Sequence, residues 1–403
     1  MALSKPIPEE RISLAEWTAT LKQSGLREML SIAARPNILS FAIGMPASDT
    51  FPARDYAQAA QKVLARDSRA LQYGMPLATL KTHIVDIMAQ RGVSCRQEQV
   101  FLTTGAQQGM SLLVHLLLDA RRQVLIEETT YDGLQMAVKP FSPEILTVPT
   151  DLETGIDVNA VESLLANGAR PSFIYTIPDG HNPLGVSMSL EKRERLVELA
   201  RLYRVPIIED DAYGFLYYET TPGPPMRSMD GDWVLYVGSF SKILAPAVRV
   251  GWLVVPDYLV PMLSVTKHGS DLDSCTFTQH ALSAYLDEGH LADHLSMSRV
   301  TYATRRDAML TAMSRHFPGG LRWRKPLSGM FIWVEMPSRL DASRLLVEAV
   351  EKQQVAFSPG PAFCVNNSRS ASHCMRLNFS NRNVEEIEDG IARISRVLRA
   401  ALV

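Results

Sequence analysis

Val234-Leu235-Tyr236-Val237-Gly238-Ser239-Phe240-Ser241-Lys242 opens on four apolar residues and closes on a lysine flanked by small hydroxyls. The apolar run reads as a buried strand. Similar short runs recur at 100–103, 124–127, 173–177, 205–208, 234–237 and 250–255. Helical patterns lie between several of them. Over Leu190–Tyr203, the apolar Leu190, Leu196, Leu199, Ala200 and Tyr203 fall near one face, and Ser189 offers an N-cap. Strands alternating with helices imply βαβ units. The expectation is an α/β fold whose mostly parallel central sheet is flanked by helices. Ligands of such folds sit beyond the carboxyl ends of the strands, and Lys242 falls there.

Outward from that core the pattern changes. After about residue 280 long helices are expected at 279–288 and 291–316, then a strand at 331–335, another at 375–379 and a closing helix, Val384–Leu402. This reads as a smaller α+β domain. The expected division is an N-terminal arm at 1–50, a large domain at 51–285 and a small domain at 286–403. A length of 403 residues agrees with about two to three domains.

Composition narrows the function classes. Lys plus Arg is 41 and Asp plus Glu is 43, a net charge of −2, which argues against a protein built to hold nucleic acid. No apolar stretch approaches the length of a spanning helix, and the N-terminus lacks an apolar signal core. The four cysteines, Cys95, Cys275, Cys364 and Cys374, form no C-x-x-C, so free thiols in a reducing cytoplasm are expected. His290 and His294 stand four apart, but no third ligand accompanies them and no metal site is expected.

Four segments carry candidate chemistry. In Gly238-Ser239-Phe240-Ser241-Lys242, with Arg249 seven residues on, a partly desolvated lysine becomes a nucleophile toward carbonyls, while Ser239, Ser241 and Arg249 suit a phosphate. Read alone, such a segment is most often a plain loop with a solvated lysine. Ile207-Ile208-Glu209-Asp210-Asp211-Ala212-Tyr213 sends acids out of a strand, as a helix cap or as a carboxylate facing a ring nitrogen. Asp179-Gly180-His181-Asn182-Pro183-Leu184-Gly185 reads first as a turn that fixes Asn182. Thr103-Thr104-Gly105-Ala106-Gln107-Gln108 places small residues at a helix start, where backbone N–H groups and the helix dipole favour an anion.

Together and in order, these segments resemble the fold-type I pyridoxal-phosphate (PLP) enzymes, the aspartate aminotransferase superfamily. The series runs T-G-A-Q-Q, E-x-T-Y-D-G, H-N-P-x-G, I-I-E-D-D-A-Y, G-S-F-S-K and M-R-L-N-F, with 28 residues from Asn182 to Asp210, 32 to Lys242 and 134 more to Arg376. The branch it is most similar to holds the 2-aminoadipate and kynurenine aminotransferases. The aminotransferase-like half of MocR-type regulators is similar too, but here only an arm precedes the large domain.

The resemblance implies the fold-type I transferase architecture, PLP as cofactor, and amino acids and 2-oxo acids as substrates. It implies that Lys242 is the Schiff-base lysine and proton shuttle. Asp210 pairs with the ring nitrogen, Asn182 and Tyr213 contact the ring's phenolic oxygen, and Tyr131 stacks on its face. Gly105, Ala106, Gln107, Ser239, Ser241 and Arg249 bind the phosphate, joined by Tyr73 of a second subunit in a homodimer. Arg376 clamps the substrate carboxylate, with Asn182 and Gly44 lining the substrate site. Arg27, in the arm's S-G-L-R, is either a solvated helix residue paired with a nearby acid or an arginine that closes over acidic substrates and opens for aromatic or long aliphatic ones. Other PLP reactions, namely decarboxylation, elimination or oxidation, use the same motifs, and a PLP-sensing regulatory domain is a more distant alternative. Ala78 stands where the family has the second glycine of Y-G-x-x-x-G, and this bears on the substrate entrance.

Overall fold

The computed structural model describes residues 13–20, 35 and 37–402. Its central sheet has seven strands: β1 (Val100–Thr103), β2 (Gln123–Glu127), β3 (Glu144–Val148), β4 (Ile174–Thr176), β5 (Ile207–Asp210), β6 (Val234–Ser239) and β7 (Gly251–Val254). Their order across the sheet is β1-β7-β6-β5-β4-β2-β3. Every pairing is parallel except those of β7, which runs antiparallel to both β1 and β6. The chain between β6 and β7 is too short for a full crossover, so β7 must return in the opposite direction.

Alternation along the strands feeds both faces of the sheet. Ile174, Ile207 and Val234 pack with Leu196 and Leu199 of the helix Leu190–Tyr203. Tyr175, Ile208 and Leu235 face the other way, into the main core. Burial on both faces explains why these strands read as continuous apolar runs. Ser189 caps the helix Leu190–Tyr203 as expected, accepting from the Lys192 N–H at 3.4 Å. Leu190 itself is 45% exposed and leaves the apolar face.

A second sheet of four antiparallel strands, β8 (Arg322–Trp323), β9 (Phe331–Glu335), β10 (Ser358–Pro359) and β11 (Cys374–Asn378), has the order β8-β9-β11-β10. The long helix His290–His316 packs on the closing helix Val384–Leu402. One contiguous apolar core joins Leu102 and Trp252 of the central sheet to Phe331 and Leu377 of the second. Leu39–Ser40 pairs in parallel with Val355–Ala356, and the Asn378 N–H donates to the Phe41 carbonyl at 2.9 Å. These bonds seat the segment leading to Gly44 beside β11. Among the described residues, no helix is long and apolar enough to cross a membrane.

Candidate active site

β5 carries consecutive acids into the interior, and Glu209, Asp210 and Asp211 are all buried. Their partners separate them. Glu209 accepts the backbone N–H groups of Met226 and Arg227 at 2.7 and 2.8 Å. Asp211 accepts from the Gly214 N–H and the Tyr236 hydroxyl at 2.8 and 2.9 Å and pairs with Arg91 at 3.1 Å. Asp210 accepts the Tyr175 hydroxyl on Oδ2 at 2.7 Å, while its Oδ1 has no hydrogen-bond partner. Burial pushes the Asp210 carboxyl up to about 6, against the Tyr175 hydrogen bond that holds it down. A buried carboxylate oxygen without a donor is costly, and a cationic N–H facing it supplies both hydrogen bond and charge. This unpartnered oxygen fits the protonated ring nitrogen of a pyridoxal cofactor.

β6 ends at Ser239, whose Oγ accepts from the Ser241 N–H at 3.1 Å and starts the single turn Phe240–Ile243. The turn holds Lys242, whose Nζ donates to the Gly44 carbonyl at 2.8 Å. Burial, reinforced by the Arg376 and Arg249 guanidinium groups, lowers the Lys242 ammonium to about 8. A larger share is then free amine near neutral pH, as a nucleophile or proton acceptor must be.

Strand order brings the anion-binding candidates to the same edge of this site. Gly251 of β7 stands opposite Ser239 on one side and Thr103 on the other. Thr103 leads to Gly105, which takes a φ of 77° before the helix Ala106–Leu117. A Cβ at Gly105 lies 2.8 Å from Arg249 Nη2, and that nitrogen donates to the Thr104 carbonyl at 2.8 Å. The guanidinium therefore sits against a helix start whose first N–H groups have no intrahelical acceptor, the geometry that suits a phosphate.

Arg376 projects from β11, where it stands opposite Trp333 of β9. Its Nη1 donates to Asn182 Oδ1 at 2.6 Å, and its Nη2 donates to the Ala42 carbonyl and, at 3.2 Å, to Ser358 Oγ. Its Cζ lies 4.3 Å from the centre of the Phe331 ring and 4.5 Å from that of Phe363. Nε has no partner, and no ion pair with a carboxylate forms among the described residues. Burial lowers its pKa to about 10, and nearby Tyr213 and Tyr131 oppose the shift. Tyr213, buried, sets its ring edge-on to Phe331 at 5.8 Å, and Tyr131 precedes the helix Asp132–Val138. Burial and the Asp210 charge push the Tyr131 phenol up to about 12.

Gly44, Asn182, Tyr131, Asp210, Tyr213, Lys242, Arg249 and Arg376 are thus linked through contacts or mutual electrostatics. Tyr73 is not among them within one chain, where it is 86% exposed. Arg27 lies outside the described residues. Sequence reading overlooked Tyr175, Phe331, Phe363 and Ser358. Gly133 closes the E-x-T-Y-D-G motif but received no role; a Cβ there falls 2.2 Å from Gln107 Oε1 and from the Tyr131 ring. Among the described residues no group of three or more His, Cys, Asp or Glu is placed to hold a metal ion.

A family model described as aminotransferase class I and II matches residues 36–394. The chain is 34% identical over 406 residues to aromatic-amino-acid aminotransferase 1 of Thermococcus litoralis, covering 98% of this chain and 96% of that one. Its structure is similar to that of Pyrococcus horikoshii kynurenine aminotransferase in complex with PMP, with a TM-score of 0.91 at 32% identity, covering 97% and 98% of the two chains. It is also similar to LysN, the alpha-aminoadipate aminotransferase of Thermus thermophilus complexed with N-(5'-phosphopyridoxyl)-L-leucine, with a TM-score of 0.89 at 33% identity over 97% and 98%.

Proposed function

This chain belongs to the class I and II aminotransferase family and is a pyridoxal-phosphate-dependent enzyme, and from that premise we propose what it acts on and which residues act. It moves an amino group between an L-amino acid with an aromatic, long aliphatic or aminoadipate-like side chain and a 2-oxo acid such as 2-oxoglutarate, in two half-reactions. The observation that carries this reading is Arg376: a guanidinium on a residue only 3% exposed, pinned between two rings, without a carboxylate partner among the described residues. An unpaired buried cation is costly, and an α-carboxylate docking on it relieves that cost.

Pyridoxal phosphate supplies an electron-withdrawing ring that accepts the electron pair left when a substrate Cα–H bond breaks. The chain supplies everything else. Lys242 Nζ takes the proton from Cα and returns it, as its lowered pKa permits. Asp210 Oδ1 holds a proton at the ring nitrogen. Asn182 and Tyr213 would hold the ring's oxygen, and Tyr131 would pack against the ring. Gly105, Ala106, Gln107, Ser239, Ser241 and Arg249 bind the phosphate. Arg376, braced by Asn182, fixes the carboxylate and thereby selects which bond at Cα faces Lys242. Arg27 joins this set for acidic side chains.

The working form is a homodimer in which Tyr73 serves the partner's site. Leu71, Tyr73 and Met75 are 70, 86 and 87% exposed in one short stretch, an apolar cluster that a second subunit would cover. Residues 1–50, 51–285 and 286–403 act as arm, large domain and small domain. All four cysteines are unpaired, which supports a reducing, cytoplasmic setting.

The test is incubation with a panel of amino acids and 2-oxoglutarate, with products read by mass spectrometry. A new 2-oxo acid with an equal amount of glutamate is the expected result. Carbon dioxide or ammonia in place of glutamate assigns one of the other PLP reactions and rejects the proposal.

A further inference from the structure

Tyr175 lies on β4 with none of its side chain exposed, and its register partner on β5 is Ile208. Asp210 stands two residues beyond Ile208, on the same face of the sheet, so the phenol reaches the carboxylate diagonally across the strand pair. The two carboxylate oxygens are thereby given different duties. Oδ2 accepts the phenol at 2.7 Å, and Oδ1 is left open.

We propose that Tyr175 is a positioning residue that decides where a proton sits: by donating to Asp210 Oδ2 it keeps the carboxylate ionised, and so leaves the proton on the nitrogen base facing Oδ1. The inference rests on the reading above that this base is the cofactor's ring nitrogen. In a buried pair of a carboxylate and a pyridine nitrogen, the proton goes to whichever partner the surroundings make more basic. A hydrogen bond donated to the carboxylate stabilises its charged form and reduces its basicity. Burial drives the Tyr175 phenol well above its ordinary pKa, so it stays a donor throughout the working range. Four other groups act on Asp210 or feel its charge. Asp211, next along the chain, makes ionisation harder, and His181, from the turn after β4, makes it easier. The Tyr131 and Tyr213 phenols also feel its charge. His181 is itself engaged by Glu127 at 3.1 Å, both side chains being buried. Among these, only the phenol of Tyr175 is hydrogen-bonded to Asp210.

The test uses holoenzyme loaded with pyridoxal phosphate labelled with nitrogen-15 in the ring. The parent ring nitrogen is expected in the pyridinium range of chemical shift near neutral pH. In Tyr175→Phe, which keeps the buried ring and removes one oxygen, it moves toward the neutral pyridine range. Affinity gives a second readout. Tyr175→Phe binds pyridoxal phosphate about tenfold more weakly, the scale of one hydrogen bond to a charged group. It binds the analogue with C–H in place of the ring nitrogen as well as the parent does. Tyr236→Phe removes an equally buried hydroxyl, bonded to Asp211 instead, and leaves both readouts unmoved. An unchanged pyridinium signal in Tyr175→Phe, or equal weakening for both cofactors, overturns this inference alone. A neutral ring nitrogen in the parent overturns the Asp210 reading and this inference with it.

Discussion

Arg376 Nη1 donates to Asn182 Oδ1 at 2.6 Å, across 194 residues of chain. One hydrogen bond thus joins β11 of the second sheet to the turn beyond β4 of the first. A group read as holding substrate is braced by a group read as holding cofactor. Arg376→Lys keeps a charge but loses the planar fork and the stacking between Phe331 and Phe363. It should lower kcat/KM by about a hundredfold or more for every amino acid, while the holoenzyme's near-visible absorbance persists. Steady-state kinetics with the absorbance spectrum checks this; parallel loss of both would give Arg376 a structural role only.

Asp210 links stability to pH with a definite sign. Burial raises its carboxyl from 3.8 to about 6 in the chain without cofactor. A raised pKa means that its contribution to stability is complete below the ordinary carboxylate range and is lost as pH rises through about 6. Asp210→Asn has no charge to desolvate. The apo variant should therefore gain on the apo parent between about pH 4 and 6 and remain more stable above that. With pyridoxal phosphate present the order should reverse. Unfolding midpoints against pH, with and without cofactor, read both signs.

Tyr73 gives a test of site sharing that needs no structure of a dimer. A Tyr73→Phe subunit mixed with a Lys242→Ala subunit places both defects in one composite site and leaves the other intact. The mixed dimer should recover up to about half of the parent's activity per dimer, one site in two. Absence of recovery despite demonstrated subunit exchange shows that Tyr73 does not serve a partner.

The proposed role of Arg27 in substrate range is open to a direct test. A site that accepts both glutamate and a bulky apolar amino acid must offer a cation to one and none to the other. A permanently buried cation penalises the apolar substrate. Arg27→Ala should lower kcat/KM for glutamate or 2-oxoglutarate by about tenfold or more, with little loss for the apolar partner. Equal losses for both, or none, remove Arg27 from substrate choice.

Much of this was legible in the chain. The runs at 100–103 and 234–237 read correctly because burial on both strand faces leaves a continuous apolar signal, and the helix Leu190–Tyr203 because its apolar residues recur on one face behind a Ser189 cap. β3 (Glu144–Val148) escaped notice because it is an edge strand, half-exposed, without such a run. β5 begins at Ile207 and extends through Glu209 and Asp210, two residues later than the apolar pattern, because interior partners carry those acids within the strand. Read without the family resemblance, which pointed to Asp210, the sequence E-D-D announced an acidic exit from a strand but not which acid stayed free. That depends on Tyr236 and the Met226 and Arg227 backbone, donors from other elements. The brackets on Arg376 were hidden for the same reason. Phe331, Phe363 and Ser358 are ordinary core residues until folding stacks the two rings on one guanidinium and brings the Ser358 hydroxyl to accept from it.

The central claim is that the cofactor is held on the turn after β6, by Lys242. Reduction of the holoenzyme with borohydride, proteolysis and mass spectrometry locate the phosphopyridoxyl group directly. The account predicts that it sits on Lys242, and that Lys242→Ala yields folded protein with neither adduct nor amino-transfer activity. An adduct on any other lysine, or one that survives in Lys242→Ala, contradicts it.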